Sequence, residues 1–343
     1  MSSSSGLVPG RLFRKVIAFG ALALLGASVA EAKPKPKPKR GAEPSEDTTA
    51  ETIRSIAESL KMDVKTTLVS PGDGPVRALK LRPTVGTTQR ITMTTATSGK
   101  VSVMGMEVNL PNTPIHVDID HAVTSAARAG SRITARYVDV RIDPVPEDAD
   151  PLAAMTVTMQ SAGYDALVGA EMSYVLDESG RMTDVEMIGG GGAMAAAGDA
   201  LKTMLEGQKQ SQLWLPDEPV GLHAVWTVEQ TIQVQNVPLV AVYNFTLSEL
   251  SESHAAVDLT LNMDMSAFMQ GMLAQGSGQL DGVDVGPMQA SGSGHYQFRF
   301  DQPSPTGEMT MRMLMSMSTP PEDGVSVPMT MDVTARTSIA ERP

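Results

Sequence analysis

The stretch Val325-Ser326-Val327-Pro328-Met329-Thr330-Met331-Asp332-Val333-Thr334-Ala335-Arg336-Thr337-Ser338-Ile339 decides the fold class. Its odd positions are apolar with one exception, Thr337, and its even positions are mostly polar. Successive side chains of an extended strand point to opposite faces, so the run has one dry face and one wet face. Met309, Met311, Met313, Met315 and Met317 repeat the pattern beside Thr310, Arg312 and Ser316. So do Leu259, Leu261, Met263 and Met265 beside Thr260, Asn262 and Asp264. Ile115, Val117 and Ile119 alternate with His116, Asp118 and Asp120, and Trp226, Val228, Ile232 and Val234 with Thr227, Glu229, Thr231 and Gln233. Half-buried strands of this kind belong to antiparallel sheets. Parallel sheets need fully apolar strands joined by crossover helices. The expected fold is mainly β, a curved antiparallel sheet in the form of a half-barrel, a barrel or a sandwich.

Some segments depart from period two. Thr48 to Met62 has a helical period: Thr48 and Glu51 have capping-box spacing, and Ile53, Ile56, Ala57 and Leu60 form one stripe. A loop from Ser70 to Pro75 closes that unit. A central helix is expected over 193–208, with Met194, Ala197, Leu201, Met204 and Leu205 on one side. A shorter helical turn over 266–274 leads into a Gly/Ser/Asp-rich loop reaching Ser293. There is also a weak repeat. Val85-Gly86 and Ile91-Thr92-Met93 match Val220-Gly221 and Trp226-Thr227-Val228 at an offset of 135, and Glu171 to Met182 resembles His295 to Met309. Amphipathic hairpins resemble one another, so the pattern leaves a true duplication open. The division that follows is a leader (1–32), a Lys/Pro-rich tether and acidic linker (33–47), an N-terminal helix and loop (48–75), a first β half (76–192), a connecting helix (193–212) and a second β half (213–343).

Arg11, Arg14 and Lys15 precede an uncharged apolar run from Val16 to Ala30, and Ala30-Glu31-Ala32 fits a small-x-small cleavage site. This is the form of a secretory signal peptide; the run is short of the ~20 residues that span a bilayer. The protein is therefore expected to be exported, to the periplasm or to the extracellular side or cell envelope. Lys33, Lys35, Lys37, Lys39 and Arg40 alternate with Pro34, Pro36 and Pro38 to give an extended basic tether. It serves as a spacer or as a contact with an anionic envelope surface. The whole chain carries a net charge of −12, which argues against a nucleic-acid binder. It has no cysteine, which excludes a disulfide framework, thiolate metal sites and a cysteine nucleophile.

Methionine is abundant, with 24 residues in 343. Burying each gains roughly 1.5–3 kcal/mol, and an uncovered stripe would invite aggregation. The dry face is therefore covered by the other half, by closure into a barrel, by helices, or by a ligand or partner. A lipid-facing barrel would want aromatic girdles, and aromatics are only 4% of the chain. Thioethers are soft and adaptable, which suits three uses: a plain core, a cavity for acyl chains or apolar segments, or a Cu(I) site. The candidate apolar ligand face comprises Met309, Met311, Met313, Met315, Met329, Met331, Met263 and Met265.

Signatures of chemistry are missing: there is no nucleophile elbow, phosphate loop, dinucleotide fingerprint or His-Glu-x-x-His. Asp118, Asp120 and His121 form the tightest polar cluster and are expected to be solvated. Glu147, Asp148 and Asp150 lack the glycine turn and terminal glutamate of a calcium loop. His254 and His295 are expected to be structural, and the Asn244-Phe245-Thr246 sequon to be fortuitous. No catalytic residues, metal site or cofactor are assigned.

The export signal, the Met-x-Met strands and the Pro-Val-Gly-x-x-x-x-Trp-Thr run from Pro219 to Thr227 resemble an uncharacterised family of exported, Met-rich bacterial β proteins. That resemblance brings no activity. A more distant architectural similarity is to periplasmic lipoprotein-carrier folds, which implies a curved sheet under helical lids holding acyl chains. The expected function is a non-enzymatic binding protein for a lipid-like ligand or apolar partner. The alternatives are a structural envelope protein with a closed core and a periplasmic Cu(I)-binding protein.

Overall fold

The computed structural model describes residues 63–103, 105–110, 112–127, 129–145, 164, 167–188, 212–234, 237–266, 268, 270, 284–322 and 325–342. Its strands are β1 (Asp63–Ser70), β2 (Asp73–Arg77), β3 (Thr88–Val103), β4 (Met106–Leu110), β5 (Ile115–Ala127), β6 (Gly130–Ile142), β7 (Glu171–Leu176), β8 (Met182–Ile188), β9 (Val220–Leu222), β10 (Val225–Val234), β11 (Val237–Leu250), β12 (His254–Asp264), β13 (Asp284–Arg299), β14 (Thr306–Glu322) and β15 (Val325–Glu341). Thirteen of them make one curved sheet in the order β1-β10-β11-β12-β13-β14-β15-β3-β5-β6-β7-β8, with β4 also on β3. Every pairing is antiparallel. The end strands β1 and β8 do not pair, so the sheet is not a closed barrel. β2 and β9 form a separate two-stranded ladder.

The strands follow the alternation of the sequence. Along β15, Met329, Met331 and Val333 are buried on one face, while Asp332 on the other pairs with Arg312 of β14 through two bonds of 2.9 and 2.7 Å. Two stretches correct the sequence reading. Residues 63–75, expected as the end of a helical unit and a loop, contain β1 and the start of β2; Val64 and Leu68 turn inward against the core. The loop expected to reach Ser293 is already strand from Asp284. The helices expected over 48–62 and 193–208 lie outside the described residues, as do the leader, the basic tether and Glu147 to Asp150. Of the turn expected over 266–274, Ser266, Phe268 and Gln270 have helical backbone and the rest lies outside.

One end of the sheet is drawn together by its own chain. The Leu81 amide donates to the Glu178 carbonyl in the β7–β8 turn, and the next amide, that of Arg82, donates to the Phe300 carbonyl in the β13–β14 turn. Two turns separated by four intervening strands (β15, β3, β5 and β6) are thus bonded to neighbouring residues, which requires steep curvature at this end. Leu79, Leu81, Leu213, Trp214 and Leu215 are buried there, over the dry face. Trp214 lies against Tyr243, and its carbonyl accepts a hydrogen bond from Trp226 Nε1 at 3.1 Å. Trp226 in turn stacks on Phe245, with 5.4 Å between ring centroids.

The Pro219–Thr227 motif has a clear structural basis. Val220 and Trp226 are fully buried. A Cβ on Gly221 would come 2.2 Å from the Asp73 carbonyl oxygen, so only glycine lets β9 approach β2 this closely.

The five strands β3, β5, β6, β7 and β8 run as a meander, and so do β10 to β14. Their opening bonds correspond. Gly86 N donates to Val123 O and Val123 N to Thr87 O; His223 N donates to Leu247 O and Leu247 N to Ala224 O. This correspondence puts Gln89 and His121 at the places of Trp226 and Phe245. It also puts Tyr174, paired with Ile133, at the place of Tyr296, paired with Val257. Relative to the match read from the sequence, both correspondences slip by two residues, an even number that keeps the same face inward.

Candidate functional site

The interior has two parts of different chemistry. At the drawn-together end the core packs the aromatics Trp214, Trp226, Tyr137, Tyr174, Tyr243, Phe245, Tyr296 and Phe298 among aliphatic side chains and the fully buried Met172. Toward the opposite end of β12–β15 and β3, the core comprises Met265, Met288, Met313, Met315, Met329 and Met331 with Val101, Ala290 and Val333. Cross-strand register explains the grouping. Met288 lies opposite Met315, Met315 opposite Met331, and Met331 opposite Val101, so three thioethers stand abreast. Met317 opposite Met329 forms the adjoining row.

Of the eight methionines picked out from the sequence, Met265, Met313, Met315, Met329 and Met331 are at most 5% exposed and belong to this cluster. Met309 and Met311 are half-buried and pack instead against the aromatic core. Met263 touches both clusters. The sequence reading missed Met288, which is 1% exposed. It was absorbed into the supposed loop, although Met288, Ala290, Tyr296 and Phe298 share one parity. Gly292 and Gly294 hide the pattern in between. They face Met311 and Met309, and a Cβ on Gly294 would come 2.6 Å from the Glu308 carbonyl oxygen. Small residues here let β13 lie close under the β14 thioethers.

The thioether row is also the arrangement a Cu(I) reading requires. Among the described residues no group of three His, Asp or Glu is arranged to hold a metal ion.

Asp118, Asp120 and His121 depart from the expected solvated cluster. Only Asp120 is partly exposed, bonded to Arg90 across β3–β5; the Arg90 guanidinium holds its carboxyl below the usual range. Asp118, although on the wet face, is 1% exposed because Arg342, Arg141 and Thr92 close over it. His121 is 1% exposed on the dry face. Its Nδ1 shares a 2.8 Å hydrogen bond with the Ser304 hydroxyl, and its ring meets Tyr174 edge-on. His254 and His295 are tied to Glu249 and Asp258, at 2.9 and 2.8 Å.

Burial pushes His121 down from 6.5 to about 4, slightly opposed by the Asp120 charge. The unfolded chain therefore takes up a proton between pH 6.5 and 4 that the folded chain refuses. Stability contributed by this group is complete above pH 6.5 and falls as pH drops toward 4, by up to ~3 kcal/mol. Urea denaturation at pH 7.5 and pH 4.5 is expected to show this loss. His121→Phe, which installs the residue found at the corresponding position, is expected to flatten the slope.

No protein-family model matches the chain, and no curated protein matches it by sequence. Among solved structures, one described for lipid–protein interactions in lipovitellin is similar at 13% identity and a TM-score of 0.39, over 76% of this chain and 26% of that one. This chain thus spans about a quarter of the length of that protein, and a likeness of this size carries no functional information.

Proposed function

We propose that the protein is an exported, non-enzymatic binding module whose methionine end takes a lipid-like apolar ligand. The observation that carries the reading is the division of the interior into a core that holds the aromatic side chains and a thioether cluster that meets it at Met263. Unbranched thioether side chains repack around irregular apolar shapes at little cost, whereas locked aromatic rings do not. Connectivity supports it. Short hairpin turns occur at both ends, β11–β12 and β13–β14 at the aromatic end and β10–β11 and β14–β15 at the methionine end. The connections over 143–170 and 265–283 leave β6 and β12 at the methionine end. Export through the 1–32 leader and envelope contact through Lys33, Lys35, Lys37, Lys39 and Arg40 belong to the same proposal.

A second reading, a structural envelope protein with a closed core, is favoured by one fact. Met313, Met315, Met329 and Met331 are buried by the chain's own residues. Native mass spectrometry of the purified protein, before and after delipidation, separates the two, together with displacement of a fluorescent fatty acid by palmitate. A co-purifying acyl mass and saturable displacement are expected. An empty protein that ignores the probe would leave the closed-core reading.

A further inference from the structure

A second feature lies at the opposite end of the strands from the thioether cluster. A cleft of about 300 Å³ opens at the rim between the β11–β12 turn, the end of β13, the β13–β14 turn and the end of β15. That is the lower end of the usual range for small-ligand pockets. Its wall is fixed in place by Gln89, which is 3% exposed. Gln89 Nε2 donates to the Ser304 carbonyl at 3.2 Å, and its Oε1 accepts from the Ser304 amide at 3.0 Å. The turn that forms one side of the cleft is thereby held by two points of one buried side chain.

The charges on the cleft are mostly matched already. Arg299 makes a two-point pair with Asp301, both bonds 3.0 Å, and His254 is held between Ser251 and Glu249. Three lining side chains have no hydrogen-bond partner among the described residues: the amides of Gln297 and Gln302 and the carboxylate of Glu341. An amide donates and accepts side by side, and a carboxylate accepts only. The complementary ligand carries several hydroxyls, each able to do both. Anions are disfavoured, because Arg299 is already neutralised, Glu341 would repel them and the chain as a whole carries −12.

We infer that this rim cleft is a binding site for an uncharged polyhydroxylated ligand about the size of one saccharide unit, read by Gln297, Gln302 and Glu341. It is independent of the thioether cluster, and its failure would leave the proposal for that cluster standing. The test is NMR of the intact protein, following the side-chain amide signals of Gln297 and Gln302. The probes are methyl glycosides of glucose, galactose, mannose and N-acetylglucosamine at millimolar concentration, with acetate and inorganic phosphate as anionic controls. Saturable shifts with at least one glycoside and none with the anions are expected. Gln297→Ala, Gln302→Ala and Glu341→Gln should each weaken binding about tenfold, the loss of one hydrogen bond to a polar or charged group, with thermal stability unchanged. The inference would be overturned by silence toward every glycoside, by equal response to the anions, or by affinity indifferent to the three substitutions.

Discussion

Trp226→Ala is expected to cost about 3–5 kcal/mol of folding stability, the range for deleting a large buried aromatic. Three effects converge on this residue. It is fully buried at the start of β10, so its loss leaves a cavity that the antiparallel ladder on both sides cannot close. It stacks on Phe245, and such pairs add to the burial term. Its indole N–H satisfies the Trp214 carbonyl, which would be left buried without that donor. Trp214, Leu213 and Leu215 belong to the segment that covers this end of the sheet, so the damage should spread there. Urea unfolding followed by circular dichroism gives the number. A loss below about 1 kcal/mol would mean that the aromatic end is not the rigid part of the molecule.

Arg342→Ala is the second large effect, at about 2–4 kcal/mol. Asp118 is buried although it belongs to the wet face, and Arg342 is one of the groups that cover it, alongside Arg141 at 3.5 Å and the Thr92 hydroxyl at 2.7 Å. Removing Arg342 leaves a carboxylate out of water with reduced compensation. The exposed pair Arg312–Asp332 is the control. It has good two-point geometry, but solvent screens it, and Arg312→Ala should cost only about 0–1 kcal/mol. If the two substitutions cost the same, burial of Asp118 is not what the Arg342 contact achieves. Adding Asp118→Asn to Arg342→Ala should recover part of the loss, since the uncompensated charge is then gone.

Much of the sheet was legible because its alternation is written in strongly contrasting residues. β15, β14, β12 and β5 follow directly from runs such as Met329 to Ile339 and Ile115 to Asp120. β13 was illegible at its start because its inward residues include Ala290, Gly292 and Gly294. Small side chains there answer to the closeness of β14, not to hydrophobicity. β1 was missed because its inward face, Val64, Thr66 and Leu68, is interrupted by a polar residue. The burial of Asp118 and His121 was not readable locally at all. It depends on Arg342 and Ser304, which are 224 and 183 residues away along the chain. The same holds for the rim cleft, whose lining comes from β3, two turns and the ends of β12, β13, β14 and β15. The methionine stripe was visible in the sequence. Its division into residues that serve the aromatic core and residues that form their own cluster was not, because that division depends on which end of the curved sheet each row occupies.

The most direct measurement is ε-methyl NMR of the methionines during titration of the delipidated protein with palmitate. The signals of Met288, Met315 and Met331 are expected to shift together and saturably, while Met106, exposed at 62%, stays put as the internal control. Unmoved cluster methyls at saturating palmitate, or shifts confined to Met106 and other surface methionines, would contradict a ligand-accepting thioether interior and leave these side chains as packing alone.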